Sequence, residues 1–147
     1  MYWLSVERYE NWIVDRNSGF TFLGISERKQ KIAEKMEIGD ILVTYVSSGY
    51  SCFSDAREIV SEKPKRSKFG LIYDEPYPYF IETKPLVILH ETQWVKIHKL
   101  VTSLGFLPKE KDWRQVLRNS PKKLSNADGE IILVALNNAY RQCNSTE

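Results

Sequence analysis

The chain has 147 residues and a mass of 17.2 kDa, with 42% of residues hydrophobic and 27% charged, which fits a single globular domain with its own core and excludes a disordered or fibrous chain. No apolar run approaches the roughly 20 residues a membrane helix needs, and the N-terminus becomes charged too early for a signal peptide, so a cytoplasmic protein with no membrane partner is expected. The net charge is only +2, and the two cysteines, Cys52 and Cys143, have neither metal-ligand spacing nor the numbers of a disulfide framework.

Residues 2–6, Tyr-Trp-Leu-Ser-Val, read as a short strand rich in aromatic and β-branched side chains. A helix over 8–16 follows, with Tyr9, Trp12 and Ile13 on one face, and Asn17-Ser18-Gly19 ends it. Residues 20–25 form a second strand, and Ser26 is placed to cap a helix over 27–35 with Ile32 and Met36 inward. Gly39-Asp40 then turns the chain into Ile41-Leu42-Val43-Thr44-Tyr45-Val46. With apolar residues on both faces of the pleat, this reads as a central strand. Ser47-Ser48-Gly49-Tyr50 makes the turn into a partner strand over 52–62.

A long connection containing Pro64, Gly70 and Pro76 comes next, with a helical turn expected near 69–73. Residues 79–89 are a strand in which Pro85 marks an edge, a bend or a bulge. Trp94, Ile97, Val101 and Leu104 recur at helical steps, so a helix is expected over 94–104. A short helix over 112–117 carries Trp113, Val116 and Leu117. Ser125 and Asp128 have the spacing of a capping box, opening a last helix over 126–142 with Ile132, Leu136, Ala139 and Cys143 buried. The order of elements predicts one α+β domain spanning 1–147, without repeats.

Charge is divided unequally. Residues 1–62 hold 7 Lys/Arg and 10 Asp/Glu, or −3; residues 63–147 hold 14 and 9, or +5. Lys63, Lys65, Arg66 and Lys68 form the densest basic run and are candidate phosphate contacts, as are Lys122 and Lys123. Catalytic signatures are missing: His90 and His98 have no motif around them or around Cys52, and no Gly-rich phosphate loop exists. Neither an enzyme, a metal site nor a cofactor is expected.

Several stretches together resemble the EVE family of the PUA-like superfamily, related to the YTH readers of modified RNA. They are Glu10-Asn11-Trp12, Leu23-Gly24-Ile25, residues 38–46, residues 58–62, Tyr77-Pro78-Tyr79 running into Lys84-Pro85-Leu86, and Leu104-Gly105-Phe106 leading to Trp113. The resemblance implies a mixed, barrel-like sheet ringed by short helices. It also implies a non-catalytic module that receives one base of RNA or DNA, often a modified one, in a pocket beside the barrel.

The same resemblance places Asn11 and Trp12 at the pocket rim, Leu23 and Gly24 at a strand end facing the ligand, Tyr45 and Tyr79 near the cavity, and Trp113 as its late tryptophan. Phe22 stands beside Leu23, which occupies a position where the family usually has tryptophan. By spacing alone, Trp12 is a core residue. Asp55 and Arg57 replace a smaller, glycine-containing segment, and a carboxylate there repels phosphate unless Arg57 neutralises it. An asparagine amide can donate to and accept from a base edge at once, and an aromatic face replaces lost base stacking. The competing expectation is a protein-interaction module on the same fold, its pocket degenerate. A filled cavity or an acidic rim would favour that alternative.

Overall fold

The computed structural model describes residues 1–47, 49–62, 64–66, 77–108, 114–118 and 120–144, with backbone only at 114, 143 and 144. The elements in chain order are β1 (Tyr2–Glu7), α1 (Tyr9–Asn17), β2 (Phe22–Ile25), α2 (Gln30–Ala33), β3 (Ile41–Val46), β4 (Cys52–Ile59), β5 (Lys65–Arg66), β6 (Tyr79–Ile88), β7 (Val95–Lys96), α3 (Arg114–Leu117), β8 (Lys122–Leu124) and α4 (Asn126–Asn144). The strands make one mixed sheet ordered β2-β6-β4-β3-β1-β8, with β5 added to β6 and β7 to β4. Among the described residues β1 and β3 pair in parallel and every other pairing is antiparallel. The sheet curls into a half-barrel with a few short helices, an α+β architecture.

β3 is central, as its two apolar faces predict. Leu42 packs with Trp3, Leu23, Ile25, Ile59, Ile81 and Met36 in one cluster, while Val43 and Tyr45 join Leu4, Phe53, Ala56, Trp12 and α4 in the other. Two bulges bend the sheet. Thr44 pairs with Asp55 but Tyr45 with Phe53, leaving Ser54 as the extra residue. Ala56 pairs with Val87 but Arg57 with Pro85, leaving Leu86 unpaired and exposed. Pro85 therefore sits at a bulge, where its missing N–H breaks no ladder bond.

Three helical expectations need correction. Residues 94–104 are not a helix: Val95 and Lys96 pair with Phe53 and Cys52, and a 3₁₀ turn, Ile97–Lys99, follows. The three-residue spacing is satisfied by that tighter turn, and Trp94, Ile97 and Leu104 are buried all the same. The segment after Ser26 is a 3₁₀ turn, Glu27–Lys29, running into the single turn of α2, and Ser26 makes no side-chain cap. At α4, Ser125 Oγ accepts from Asp128 N at 3.1 Å, half of the expected box. The Asp128 carboxylate turns instead to the backbone N–H groups of Gly105 and Phe106, at 2.8 and 3.2 Å. A Cβ at Gly129 would overlap the Tyr2 ring, so that glycine permits α4 to lie directly against β1. The helical turn expected near 69–73 lies outside the described residues, as do residues 112 and 113 of the expected 112–117 helix, whose described part is the single turn α3, Arg114–Leu117.

Candidate nucleic-acid interface

The strand order leaves β2 and β8 as the unjoined ends of the half-barrel. A cavity of about 880 Å³ opens in this seam, within the range of small-molecule sites. β1 contributes Ser5, Val6 and Glu7, the start of α1 contributes Asn11, and β2 contributes Leu23, Gly24 and Ile25. Tyr45 and the turn after β3 form another wall, with Ser47, Gly49 and Ser51, and Leu117, Arg118, Ser120 and Pro121 close the β8 side. Tyr77 and the cations Arg28 and Lys29 complete the lining.

Two properties of this lining bear on what it can hold. Asn11 is only 7% exposed, and its side-chain amide has no hydrogen-bond partner among the described residues. The amide atoms are not among the fully buried ones that lack a partner, so they reach the cavity and are available to a ligand at the wall. Arg28, Lys29 and Arg118 likewise have no ion-pair partner among the described residues, and among those residues Glu7 is the one acid in the lining that these three cations share.

Glu7 belongs to a buried ionic cluster behind the cavity wall. Arg57, fully buried on β4, donates from Nε to Asp55 Oδ1 at 2.9 Å and from Nη1 to Asp15 Oδ2 at 2.8 Å. Its Nη2 lies 3.2 Å from Asp55 Oδ2 and 3.3 Å from Glu7 Oε1, and the Phe20 ring covers the guanidinium at 4.9 Å. Phe20 holds a left-handed backbone, φ 58°, which its place over Arg57 sustains. Three carboxyl groups thus surround one guanidinium. Burial, and then the negative charge of Asp15, push the Glu7 carboxyl well above the usual carboxylate range. Neither Glu7 oxygen accepts a hydrogen bond, whereas the protonated form can donate to Asp15.

This arrangement makes stability pH-dependent with a definite sign. Folded Glu7 holds its proton where the unfolded residue, near 4.5, has released it. The contribution is fully present below the unfolded value and is lost as pH rises through the folded one. Glu7→Gln, whose amide also donates to Asp15, is expected to gain stability over the native chain as pH rises above 4.5, by at most about 1.4 kcal/mol per pH unit. Urea midpoints of both proteins from pH 5 to 9 check it; parallel profiles would contradict it.

No family model matches the chain, and no curated protein matches it. Solved structures do. The YTH domain of Mmi1 in complex with RNA is 10% identical, with a TM-score of 0.64 over 96% of this chain and 80% of that one. The YTH domain of Zygosaccharomyces rouxii MRB1, in complex with N6-methyladenosine RNA, is 14% identical, with a TM-score of 0.60 over 91% and 86%. A hypothetical protein from Leishmania major is 16% identical, with a TM-score of 0.66 over 93% and 94%. The fold is that of YTH domains.

On this YTH-like frame the residues singled out from the sequence separate into two groups. Asn11, Leu23, Gly24 and Tyr45 come together on the cavity wall. Trp12 does not: it is 2% exposed, donates from Nε1 to Asp55 Oδ2 at 2.9 Å, and packs against Trp94 and Phe20. Phe22 faces Phe80, and Tyr79 packs beside the Leu42 cluster, both away from the lining, which takes Tyr77 instead. Trp113, Lys63 and Lys68 lie outside the described residues. Lys65 is paired with Glu82 at 2.9 Å, and Arg66 is exposed on β5. Lys122 stands over the Phe106 ring at 5.6 Å, and Lys123 is exposed on β8.

Asp55 is not on the cavity wall at all; it is fully buried against Arg57 and Trp12, so it presents no charge to a phosphate there. Sequence reading missed Arg28, Lys29 and Arg118. The signal for the first two was their place three and four residues beyond Ile25 of Leu23-Gly24-Ile25, but charges at a helix start read as ordinary solvated ones. Burial raises the Cys52 thiol, with Lys96 and Lys99 opposing that shift, and the thiol donates to the Tyr50 carbonyl at 3.0 Å. Among the described residues no cluster of His, Cys, Asp and Glu could hold a metal ion, and no helix is long and apolar enough to cross a membrane.

Proposed function

We propose that this chain is a non-catalytic, EVE-type nucleic-acid-binding domain that takes one base, a modified one, into the seam cavity. The observation that carries the reading is the Asn11 amide on the cavity wall, without a side-chain hydrogen bond among the described residues, in a cavity lined by three cations that have no ion pair among those residues. Asn11 reads the edge of the base, Tyr45, Tyr77 and Leu23 supply flat and apolar surface, and the glycine backbone at 24 gives close approach. Arg28, Lys29 and Arg118 hold the flanking phosphates. The YTH neighbours, two of them in complex with RNA, support a nucleic acid as the ligand class. The open, basic-edged cavity favours this reading over a protein-interaction module, for which the cavity would be filled or acid-rimmed.

The test is fluorescence anisotropy with a panel of single-stranded RNA and DNA pentanucleotides, whose central adenine or cytosine is plain or methylated. Three phosphate contacts give a log–log salt slope of about −2, so affinity should fall about 16-fold between 50 and 200 mM salt. Asn11→Ala should reduce the preference for the best central base by about 5- to 150-fold, from the roughly 1–3 kcal/mol of one bidentate pair. Binding to an abasic control should barely change in that variant. Absence of binding by every panel member at low salt would leave the interaction-module alternative standing.

A further inference from the structure

The turn that walls the cavity carries an aromatic ring on its outside. Gly49 and Ser51 line the cavity, while Tyr50 between them is 44% exposed. Its flanking residues both have left-handed backbone, φ 94° at Gly49 and 52° at Ser51, a costly conformation for serine. What this strained turn accomplishes is to place the Tyr50 ring on Tyr9 of α1, centroids 4.8 Å apart and planes 15° from parallel. Trp94 meets Tyr50 edge-on at 5.7 Å. Tyr9 is itself fixed, donating to Glu91 at 2.9 Å, and Arg16 neutralises that carboxylate at 2.9 Å. The platform is built before any ligand arrives.

Positive charge borders it. Lys96 pairs opposite Cys52, two residues beyond Tyr50, and both Lys96 and Lys99 lie close enough to act electrostatically on the Cys52 thiol. Both are exposed, and neither is ion-paired among the described residues. Ser51 is tied to this same segment, its carbonyl accepting from Ile97 N at 3.0 Å. The cavity wall, the tyrosine turn and the lysine-bearing segment thus adjoin one another.

We infer that Tyr50 is a second stacking site, which takes the base of the nucleotide adjacent to the one held in the cavity, with Lys96 and Lys99 meeting the phosphate beyond. The inference rests on the cavity being a base pocket and assigns the surface next to it. A preformed, sequence-tolerant aromatic face beside a single-base pocket explains how one captured base can be held within a strand, since every base has a face to stack.

The experiment uses every pentanucleotide of the panel that the full chain binds, together with versions abasic at either flank of the central base. Tyr50→Ala should weaken binding to the intact strand by about 5- to 150-fold, the range for loss of one stacked base, and Tyr50→Phe should not. An abasic site at one flank should weaken the native protein similarly, with no further loss when combined with Tyr50→Ala. This second arm uses the native protein, so a folding defect in the variant cannot decide the result. If Tyr50→Ala binds intact strands as the native chain does, or if neither abasic flank costs affinity, the platform is refuted while the cavity reading stands. If the native chain binds no member, the cavity reading itself fails and takes this inference with it.

Discussion

Arg57→Ala is expected to cost about 3–5 kcal/mol of stability, the usual penalty for removing one partner of a buried ionic group. Against a typical total of about 5–15 kcal/mol, this leaves a chain close to unfolding at neutral pH. The cause is charge left behind. Without the guanidinium, Asp15 and Asp55 lose the cation at 2.8 and 2.9 Å, and no water reaches them, since both are fully buried. Glu7 loses the guanidinium nitrogen at 3.3 Å, and Phe20 loses the group its ring covers. Lowering the pH should restore part of the loss, because protonating the carboxyls removes the uncompensated charge. Urea denaturation at pH 7 and pH 4.5 measures both effects. An Arg57→Ala protein as stable as the native one at pH 7 would show that the cluster is not organised as described.

Trp12→Ala is expected to cost about 3–5 kcal/mol, as large-to-small changes at buried tryptophan do. The substitution opens a void among Phe20, Trp94 and the Arg57 cluster and takes a hydrogen bond from Asp55. Trp12→Phe should lose less, since it keeps most of the apolar volume and forfeits mainly the indole N–H. The informative comparison is with binding. Because the indole is in the core and not on the cavity wall, the folded fraction of either variant should keep the base preference of the native chain. Full stability with loss of base preference would place Trp12 in the pocket after all.

These two residues also show what the sequence could and could not reveal. The helical spacing of Trp12 correctly marked a core position, whereas the family resemblance put it at the pocket rim beside Asn11. Neighbours in sequence point about 100° apart on a helix, so the pair divides: Asn11 lines the cavity and Trp12 donates to Asp55. The central strand was legible because its pattern, apolar on both faces, is local. Of the Arg57 cluster only the pairing with Asp55 was, since both stand on β4; Glu7 and Asp15 are brought to it by β1 and α1, and no local pattern announces that meeting. The segment after Trp94 misled for a related reason. Its apolar spacing suits a helix, yet pairing with Cys52 and Phe53, far away in sequence, outweighed that preference.

The cations behaved similarly. The basic run near residue 65 stood out by density, but Lys65 is taken up by Glu82. The cations at the cavity come from two separated places, residues 28–29 and 118, that only the closing of the half-barrel brings together. The pocket side of Asn11, Gly24 and Tyr45 was readable only as an ordered set of short family-like pieces, none of which is distinctive by itself.

The most direct measurement is a ¹⁵N chemical-shift titration of the native chain with the tightest-binding pentanucleotide. The account predicts the largest shifts at the side-chain amide of Asn11 and at the backbone N–H groups of Gly24, Ser47 and Arg118, growing together along one binding curve. Shifts confined to the far surface, such as the exposed face of α4 at Val134 and Tyr140, with Asn11 unmoved, would contradict it.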